Sequence, residues 1–461
     1  MRAGPTRIPG DYNASLSSSL KHADRANHEI PKSLTQQKIT KIIAFVFLSF
    51  LAILILYIIV SAFYSPDTSW VAFNPCRGAV NKTANNGETE TLISKLRDSV
   101  TFLHLKDLKY AKTSMVGNTW FLSSFSDTYE KEEAEYLYFP SQTSKGRLLC
   151  IKGNDTRDGT ENSYALAWLE SLPRSAILLE GLSFISNTHY DFENLWHGVS
   201  SLAPFVGWSM KHGCLKPRRW VLFKNGALQP RAGSWLQKLM LSIYGEIPIE
   251  RFQKGSDIVP YCFEKALVMR HNVGKMGREK KLSVYQQIRC KARSFCGINL
   301  GRDVNENGAP LIRVEGCRVK VFQSEDLSFC EQVEVLTYTD ILASPHGAQM
   351  TNMIFMERGS VVMEFFPRGW LEYAGVGQHV FEWLAKQSGM LHPEPWWEKL
   401  DEIDCPRPQN RAECWSFYKN GKVGLNQTFF AQWARTQIGE VKLRKQISLN
   451  LMAYNSSSCS C

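Results

Sequence analysis

Two short polar segments carry the residue types that bind or activate a substrate. The first is His346-Gly347-Ala348, which follows an apolar strand-like stretch and leads into a helix-like one. A glycine turn directly before a helix brings backbone N–H groups toward an anion, so this turn predicts a diphosphate site. Thr351 and Asn352 add neutral hydrogen-bonding groups. The alternative is that Gly347-Ala348 only allows tight helix packing and that His346 is a partly buried histidine with its own partner.

Two charged residues at strand ends extend this prediction. Glu364 lies near the end of the strand-like stretch 360–367 and is predicted to accept from a ribose hydroxyl, as acids do in dinucleotide sites. Arg270 follows the strand-like stretch 266–269 and is predicted to bind the diphosphate bidentately. A surface arginine at a strand end is the alternative for Arg270.

The second polar segment, residues 189–197, holds two acids, two histidines and one amide. If a helix begins at Glu193, that residue and His197 share one face, with Asn194 beside them. His197 is predicted to deprotonate an acceptor hydroxyl, oriented by Asp191 or Glu193. The alternative is that Asp191 caps the helix while His197 packs inside. Carboxylates at the 191/193 spacing are too common to indicate a metal site.

Strand-like and helix-like stretches alternate along the chain. Apolar strand patterns cover 175–180, 182–185, 219–223 and 262–270, and helical spacing covers 92–103, 236–244 and 284–292. This alternation predicts an α/β fold with parallel sheets. The formal net charge of +10 is diffuse, and nucleic acid is not an expected partner.

An apolar stretch near the N-terminus predicts a membrane anchor. Residues 42–64 are 23 residues without a charge, long enough to span a bilayer as a helix. Lysine and arginine are concentrated before this stretch, which predicts a cytosolic tail of residues 1–41 and a lumenal remainder. About 390 residues follow it, enough for roughly two domains.

Cysteines and glycosylation acceptors agree with a lumenal location. All 12 cysteines lie after residue 64, which predicts disulfides formed in an oxidising compartment, Cys405 with Cys414 being a plausible pair. Asn13 precedes the predicted span and is expected to stay unmodified. The N-glycosylation acceptors predicted after the span are Asn81, Asn154, Asn426 and Asn455.

The chain resembles glycosyltransferase family 61, a likeness that covers roughly residues 175–395. It rests on Asn194-Leu195-Trp196-His197, on the segment 327–332, and most strongly on 346–355 with 361–367. Residues 370–389 are similar to plant members. The resemblance implies a single-pass type II protein of the Golgi or endoplasmic reticulum with the two-Rossmann GT-B fold. It also implies an inverting transfer of a pentose or N-acetylglucosamine from a UDP-sugar to a glycan or glycoprotein, without a cofactor or a dedicated metal.

The same resemblance assigns roles to individual residues. His346, Gly347, Thr351 and Asn352 would lie at the UDP-sugar and Glu364 at the ribose, with Asn194 and His197 on the acceptor side. The expected layout is a tail (1–41), a membrane helix (42–64), a stem (65–91), an acceptor half (92–255), a nucleotide-sugar half (256–400) and a cysteine-containing extension (401–461).

One segment departs from the family pattern. Strand-like residues 310–314 run almost directly into 318–322, although a parallel crossover needs about a dozen residues or more. Either these residues form one strand or a hairpin, or one β-α unit is missing. The missing unit would affect donor binding, so the alternative function is a non-catalytic pseudoenzyme, a membrane-anchored glycan-binding protein.

Overall fold

The structure is a computed structural model that describes most of the chain after residue 85. The described residues are 86–105, 130–157, 161–188, 190–252, 258–270, 276–298, 319–393, 395–396, 405–421, 423, 426–451 and 459–461. The predicted tail, the predicted span and most of the predicted stem lie outside these residues. Within the described residues no helix combines the length and the apolar character needed to cross a membrane.

Among the described residues, eight strands form one mixed sheet, which confirms the predicted α/β class. Its order is β1-β4-β3-β8-β5-β6-β7, with β2 also paired to β8. The strands are β1 (Leu103–His104), β2 (Tyr136–Phe139), β3 (Leu148–Lys152), β4 (Ser163–Ala167), β5 (Ile177–Thr188), β6 (Arg219–Lys224), β7 (Ala227–Gln229) and β8 (Tyr261–Arg270).

Three central strands, β8, β5 and β6, run parallel. Helix α1 (Asn86–Asp98) precedes β1 in the chain. Helix α2 (Leu195–Lys211) connects β5 to β6, and α3 (Ser234–Tyr244) precedes β8 on the far side of β5. The chain therefore reverses direction across the sheet between β5 and β8, a topological switch point of the kind where α/β proteins bind ligands beyond the carboxyl ends of strands. At that edge β5, β6 and β8 end at Thr188, Lys224 and Arg270.

The two strand patterns predicted at 175–180 and 182–185 are one strand. Register in β5 shifts between Leu179 and Leu182, where Gly181 adopts a φ of +78° that favours glycine. The Gly181 amide donates to Glu264 Oε2 at 2.6 Å, so the irregularity is held from the neighbouring strand. Beyond it, residues 183–188 are all buried, as expected for the centre of a covered sheet.

A second, two-stranded parallel sheet carries the His346 segment. It pairs β9 (Ile341–Pro345) with β10 (Val361–Phe365), and a 3-10 helix over Ala348–Phe355 connects them. Helices α4 (Arg278–Phe295), α5 (Phe329–Thr337), α6 (Leu371–Ala374) and α7 (Val380–Ser388) complete this part. The largest core joins residues of α2, α3 and α4 to the 3-10 helix and α7, so it spans both predicted halves.

The C-terminal extension packs beside the small sheet. Helix α9 (Gln427–Leu451) contributes Trp433 and Val441 to a cluster with Val361, Met363 and Phe365 of β10. Helix α8 (Arg411–Lys419) supplies Cys414 and Tyr418 to a separate cluster around Phe366 and Trp370.

Disulfides join distant parts of the described chain. The pairs are Cys150–Cys262, Cys214–Cys461, Cys290–Cys459, Cys296–Cys330 and Cys405–Cys414. The predicted disulfide framework and the predicted pair Cys405–Cys414 are thus confirmed. Cys76 and Cys317 lie outside the described residues, as do Asn13, Asn81 and Asn455.

The strand predicted over 318–322 is wrong for the residues that are described. Residues 319–323 lie in no helix or strand, and Val319 and Val321 are exposed by 84% and 92%. Among the described residues no strand pairs with these two valines and no core covers them, so they gain nothing from an extended conformation. Residues 304–318, including Arg313, are outside the described residues, so the predicted β-α gap remains a prediction. The GT-B pairing of two Rossmann halves likewise remains a prediction.

Candidate active site

The second polar segment, residues 189–197, shapes the start of α2. Asn194 is its N-cap, with Oδ1 accepting from the backbone N–H groups of Trp196 at 3.0 Å and His197 at 3.4 Å. Asp191 holds the preceding turn, because its Oδ1 accepts from Glu193 N at 3.2 Å and Asn194 N at 2.7 Å. The Asn194 oxygen is therefore occupied by the helix start, and only its amide nitrogen is left for the predicted acceptor contact.

His197 lies against the same aspartate. Its Nδ1 is 3.5 Å from Asp191 Oδ2, an ion-pair distance at which no hydrogen bond forms, and its ring stacks on Tyr190 with centroids 4.4 Å apart. Burial lowers the pKa of His197, and the neighbouring Asp191 carboxylate only partly offsets this. Burial opposes ionisation of Asp191, but the Asn194 amide and His197 outweigh it and leave the pKa of Asp191 below its usual value. The pair is thus a neutral imidazole beside a carboxylate, which is suited to accept a proton.

Of the two predicted orienting acids, only Asp191 reaches the imidazole. Glu193 is exposed, and no contact joins it to His197 in the described part of the chain. The reason is that the helix begins at Leu195 rather than at Glu193, so the expected four-residue helical spacing does not apply. The catalytic role predicted for Glu193 is not supported by this geometry. His189 lies outside the described residues.

The first polar segment places His346 beside a buried glutamate. His346 follows β9, and its backbone N–H donates to Phe365 O at 2.8 Å. Its Nδ1 contacts Glu364 Oε1, and the second oxygen, Oε2, lies 2.8 Å from His392 Nε2. Exposure of the side chain is 11% for His346, 2% for His392 and 0% for Glu364. Both Glu364 oxygens therefore face imidazoles, and the ribose contact predicted for Glu364 does not fit this arrangement.

Three aromatic rings surround the His346 ring. Phe366 stacks on it at 5.1 Å, Trp370 lies at 4.4 Å and Phe381 meets it edge-on at 5.0 Å. Trp370 is backed in turn by the cluster that contains the Cys405–Cys414 disulfide. Residues of the extension after residue 400 thus pack against Trp370, which in turn contacts His346. The sequence did not indicate this packing.

The turn after His346 leaves room for a ligand. Gly347 has an extended φ of 172°, and a Cβ built there would meet no atom within 4 Å. Tight helix packing therefore does not explain this glycine. Further along, Thr351 Oγ1 and Asn352 Oδ1 are buried without a hydrogen-bond partner among the described residues. Buried polar atoms of this kind are normally satisfied by protein, water or a bound molecule.

Two buried arginines of α4 hold the far end of the 3-10 helix. Arg289 donates from Nε to Ile354 O and from Nη2 to Ser388 O, each at 3.0 Å. Arg293 donates from Nη2 to Phe355 O at 2.6 Å and also contacts Glu357. Burial lowers the pKa of Arg289 to about 10, so the guanidinium remains cationic at neutral pH. These bonds tie the 3-10 helix to α4 and α7.

A single aromatic ring lies between the two polar segments. The Phe381 ring is 5.0 Å from His346 and 6.4 Å from Trp196, the residue before His197. The predicted donor and acceptor segments, about 150 residues apart in sequence, are therefore neighbours in the fold.

The switch point of the large sheet adds a third polar feature. Arg270 ends β8 opposite Asn187 of β5, and its backbone therefore lies at the predicted ligand edge. Its side chain is not described. Asn187 is 0% exposed, and neither amide atom has a hydrogen-bond partner in the part of the chain that the structure describes.

Several of these residues escaped sequence reasoning. No sequence motif contains the residues His392, Phe381, Asn187 or Arg289. Arg289 lies in a helix rich in lysine and arginine, a composition that predicts a solvent-exposed surface. The one available signal was that Glu364 stands within an otherwise apolar strand, β10. A carboxylate buried in such a strand needs hydrogen-bond donors that are also buried. No group of three His, Cys, Asp or Glu side chains within the described ranges is arranged to hold a metal ion.

Part of the chain matches the model of a known protein family. Residues 304–363 match the family model described as Glycosyltransferase 61. The predicted likeness to family 61 is confirmed. The matched segment contains β9, His346, the 3-10 helix and most of β10.

A related protein is also named as a glycosyltransferase. The chain is 30% identical over 95 residues to the Protein O-linked-mannose beta-1,4-N-acetylglucosaminyltransferase 2 of Tetraodon nigroviridis. The aligned region is 18% of this chain and 16% of the relative, so the chain spans only a small part of that protein's length.

Proposed function

We propose that this chain is a glycosyltransferase that transfers a sugar from a UDP-sugar to a hydroxyl of a glycan or glycoprotein. The observation that carries the proposal is the proximity of two chemically distinct segments. His197, paired with Asp191 and suited to accept a proton, directly follows Trp196, whose ring lies 6.4 Å from Phe381. The Phe381 ring in turn lies 5.0 Å from His346, which belongs to the segment that matches family 61.

The His346 turn is the proposed donor side. His346, the backbone at Gly347-Ala348, and the unpaired polar atoms of Thr351 and Asn352 would bind the nucleotide sugar. Hydrogen-bond donors aimed at the diphosphate stabilise the charge that develops as it leaves. Arg270 is proposed to add to this charge stabilisation from the carboxyl end of β8.

The start of α2 is the proposed acceptor side. His197 Nε2 would remove the proton of the acceptor hydroxyl while Asp191 orients the ring from Nδ1. The acceptor oxygen then bonds to the anomeric carbon as the bond from that carbon to the diphosphate oxygen breaks. The configuration inverts, UDP leaves, and the proton remains on His197.

The wider setting is also part of the proposal. The resemblance favours a GT-B arrangement, a pentose or N-acetylglucosamine as the transferred sugar, and no metal requirement. The apolar stretch 42–64 and the confirmed disulfides favour a type II protein with its catalytic part in the lumen of the Golgi or endoplasmic reticulum. Asn154, which is half-buried, and Asn426, whose side chain accepts from Phe429 N at 3.0 Å, remain predicted glycosylation sites with Asn81 and Asn455.

The sharpest test uses Gly347→Ala in the full-length chain. An alanine fits the extended backbone and meets no neighbour, so folding should be unchanged, whereas a diphosphate close to the turn would be displaced. We expect unchanged thermal unfolding and UDP affinity lowered by roughly tenfold or more, since one hydrogen bond to a charged group contributes about 1.5–3 kcal/mol. His104→Ala, an exposed histidine on the edge strand β1, is the control.

Three further variants separate the halves of the site. His346→Ala should weaken UDP-sugar binding, with Asn352→Ala behaving similarly but more mildly. His197→Ala should leave that binding intact and lower turnover by roughly 10²–10⁴-fold. If His197→Ala abolished nucleotide binding while His346→Ala left it unchanged, the assignment of the halves would be reversed. A chain that binds no UDP-sugar from a full panel would instead be a non-catalytic glycan-binding protein.

A further inference from the structure

The buried Glu364 carboxylate needs hydrogen-bond donors, and the described structure supplies two imidazoles. A carboxylate at 0% exposure is stable only when donors satisfy its oxygens. His346 Nδ1 faces Oε1, and His392 Nε2 lies 2.8 Å from Oε2. An ionised carboxylate only accepts, so both of these ring nitrogens carry hydrogens.

This arrangement fixes which His346 nitrogen is free. With Nδ1–H donating to Glu364, the neutral ring has an unprotonated Nε2. The Nδ1 edge is closed by a fully buried partner, and the His346 side chain as a whole keeps 11% exposure. The aromatic rings of Phe366, Trp370 and Phe381 prevent the imidazole from turning over.

We propose that Glu364 and His392 are positioning residues for His346: they keep Nδ1 protonated, so that Nε2 faces the incoming diphosphate and takes up one proton when the nucleotide binds. The inference rests on the proposed function and adds a protonation step to it. An unprotonated Nε2 presents a lone pair to phosphate oxygens, which is repulsive. A proton taken from solvent converts it into a donor, and the Glu364 carboxylate balances the new positive charge.

Other titratable groups border this cluster. From the start of α7, Glu382 faces His392 and pairs with His379 at 3.2 Å and with Lys386. These groups are already paired with each other and sit nearer to the surface. Proton uptake on nucleotide binding is therefore assigned to His346 rather than to them.

The first experiment needs no nucleotide. The 10 histidines are labelled with ¹⁵N in the full-length chain, and ring spectra are recorded without ligand at pH 8. The His346 signals, assigned by their loss in His346→Gln, are expected to show a protonated Nδ1 and a bare Nε2. Glu364→Gln should redistribute the hydrogen between the two nitrogens. A bare Nδ1 in the wild-type protein would overturn the inference.

The second experiment measures protons taken up with UDP. Calorimetry in two buffers of different ionisation enthalpy should give an uptake of about one proton per UDP in the wild type at pH 8. His392→Leu removes a donor from Glu364 and should lower both proton uptake and UDP affinity, the latter by about tenfold. His392→Gln retains an N–H near the position of Nε2 and should restore both. His104→Ala serves again as the control.

The outcomes separate the two levels of the proposal. If the wild type binds UDP without proton uptake, or if His392→Leu and His392→Gln behave alike, the positioning role is refuted while the glycosyltransferase proposal stands. If the wild type binds no UDP although the His346 ring shows the expected hydrogen, the proposed function fails.

Discussion

Replacing Asp191 by asparagine separates its structural and chemical roles. An asparagine retains Oδ1, which accepts from Glu193 N and Asn194 N, so the turn before α2 should persist. The second oxygen, 3.5 Å from His197 Nδ1, becomes an amide nitrogen that cannot accept from the ring. Asp191→Asn should therefore fold like the wild type and weaken the proposed base.

The size of the effect follows from the distance between the two groups. Asp191 is 43% exposed and His197 22% exposed, so solvent screens the pair substantially. For unit charges 3.5 Å apart, an effective dielectric between roughly 40 and 80 gives about 1.2–2.4 kcal/mol. This stabilises the imidazolium formed in the reaction, and its loss corresponds to a decrease of about 8- to 55-fold in kcat.

The assay is turnover of the UDP-sugar identified in the panel, measured against pH. Asp191 raises the pKa of His197 against the stronger lowering by burial, so its removal should shift the acidic limb of the kcat profile to lower pH. UDP affinity should not change. Glu170→Gln, an exposed acid in a 3-10 turn, is the matched control. A wild-type kcat with an unshifted profile in Asp191→Asn would refute the assignment of His197 as the base.

Three other changes test the surroundings of the site. Arg289→Met should lower the free energy of unfolding by about 2–6 kcal/mol, because the buried carbonyls of Ile354 and Ser388 lose their donor; chemical denaturation against the exposed Arg278→Met measures this. Asn187→Leu should raise that free energy by about 1–3 kcal/mol, since two unpaired buried atoms are removed, and a decrease would mean that the amide is satisfied in solution. If Asn187 also binds substrate, turnover falls in the same variant. Replacing Cys405 and Cys414 together by serine should cost about 2–3 kcal/mol for a sequence separation of 9 and should loosen Trp370 behind His346, read as a lower thermal midpoint and weaker UDP binding.

Sequence reasoning predicted features that depend on local order along the chain. The strand, glycine turn and helical segment around His346 follow from apolar runs and one glycine, and the structure has β9, the turn and a 3-10 helix there. The Asp191 turn was also accessible, because short polar side chains before a helix commonly hold its first N–H groups. The sequence could not show whether Asp191 or Asn194 is the N-cap of the helix, since aspartate and asparagine are both common N-cap residues.

The sequence could not show which charged side chains are buried by residues far away in the chain. Glu364 was expected to meet a ribose because acids at strand ends often do, yet its partner His392 lies 28 residues later and in no recognisable pattern. Arg289 belongs to a helix whose composition indicates a solvated surface, yet its side chain is fully buried against two carbonyl groups. Hydrogen bonds between residues so far apart in sequence produce no periodic pattern from which they could be predicted.

The segment Cys459–Cys461 has a consequence for how the chain is made. It is bonded to Cys214 and to Cys290 of α4 across sequence separations of 247 and 169. At a synthesis rate of roughly 5–20 residues per second, Cys214 waits about 12–50 s before its partner exists. During that interval its thiol shares the growing chain with Cys262, Cys296 and Cys330, each a competing partner. Correct pairing therefore depends on thiol exchange after translation, and a host without a disulfide isomerase should yield mispaired protein whose error is concentrated at Cys214.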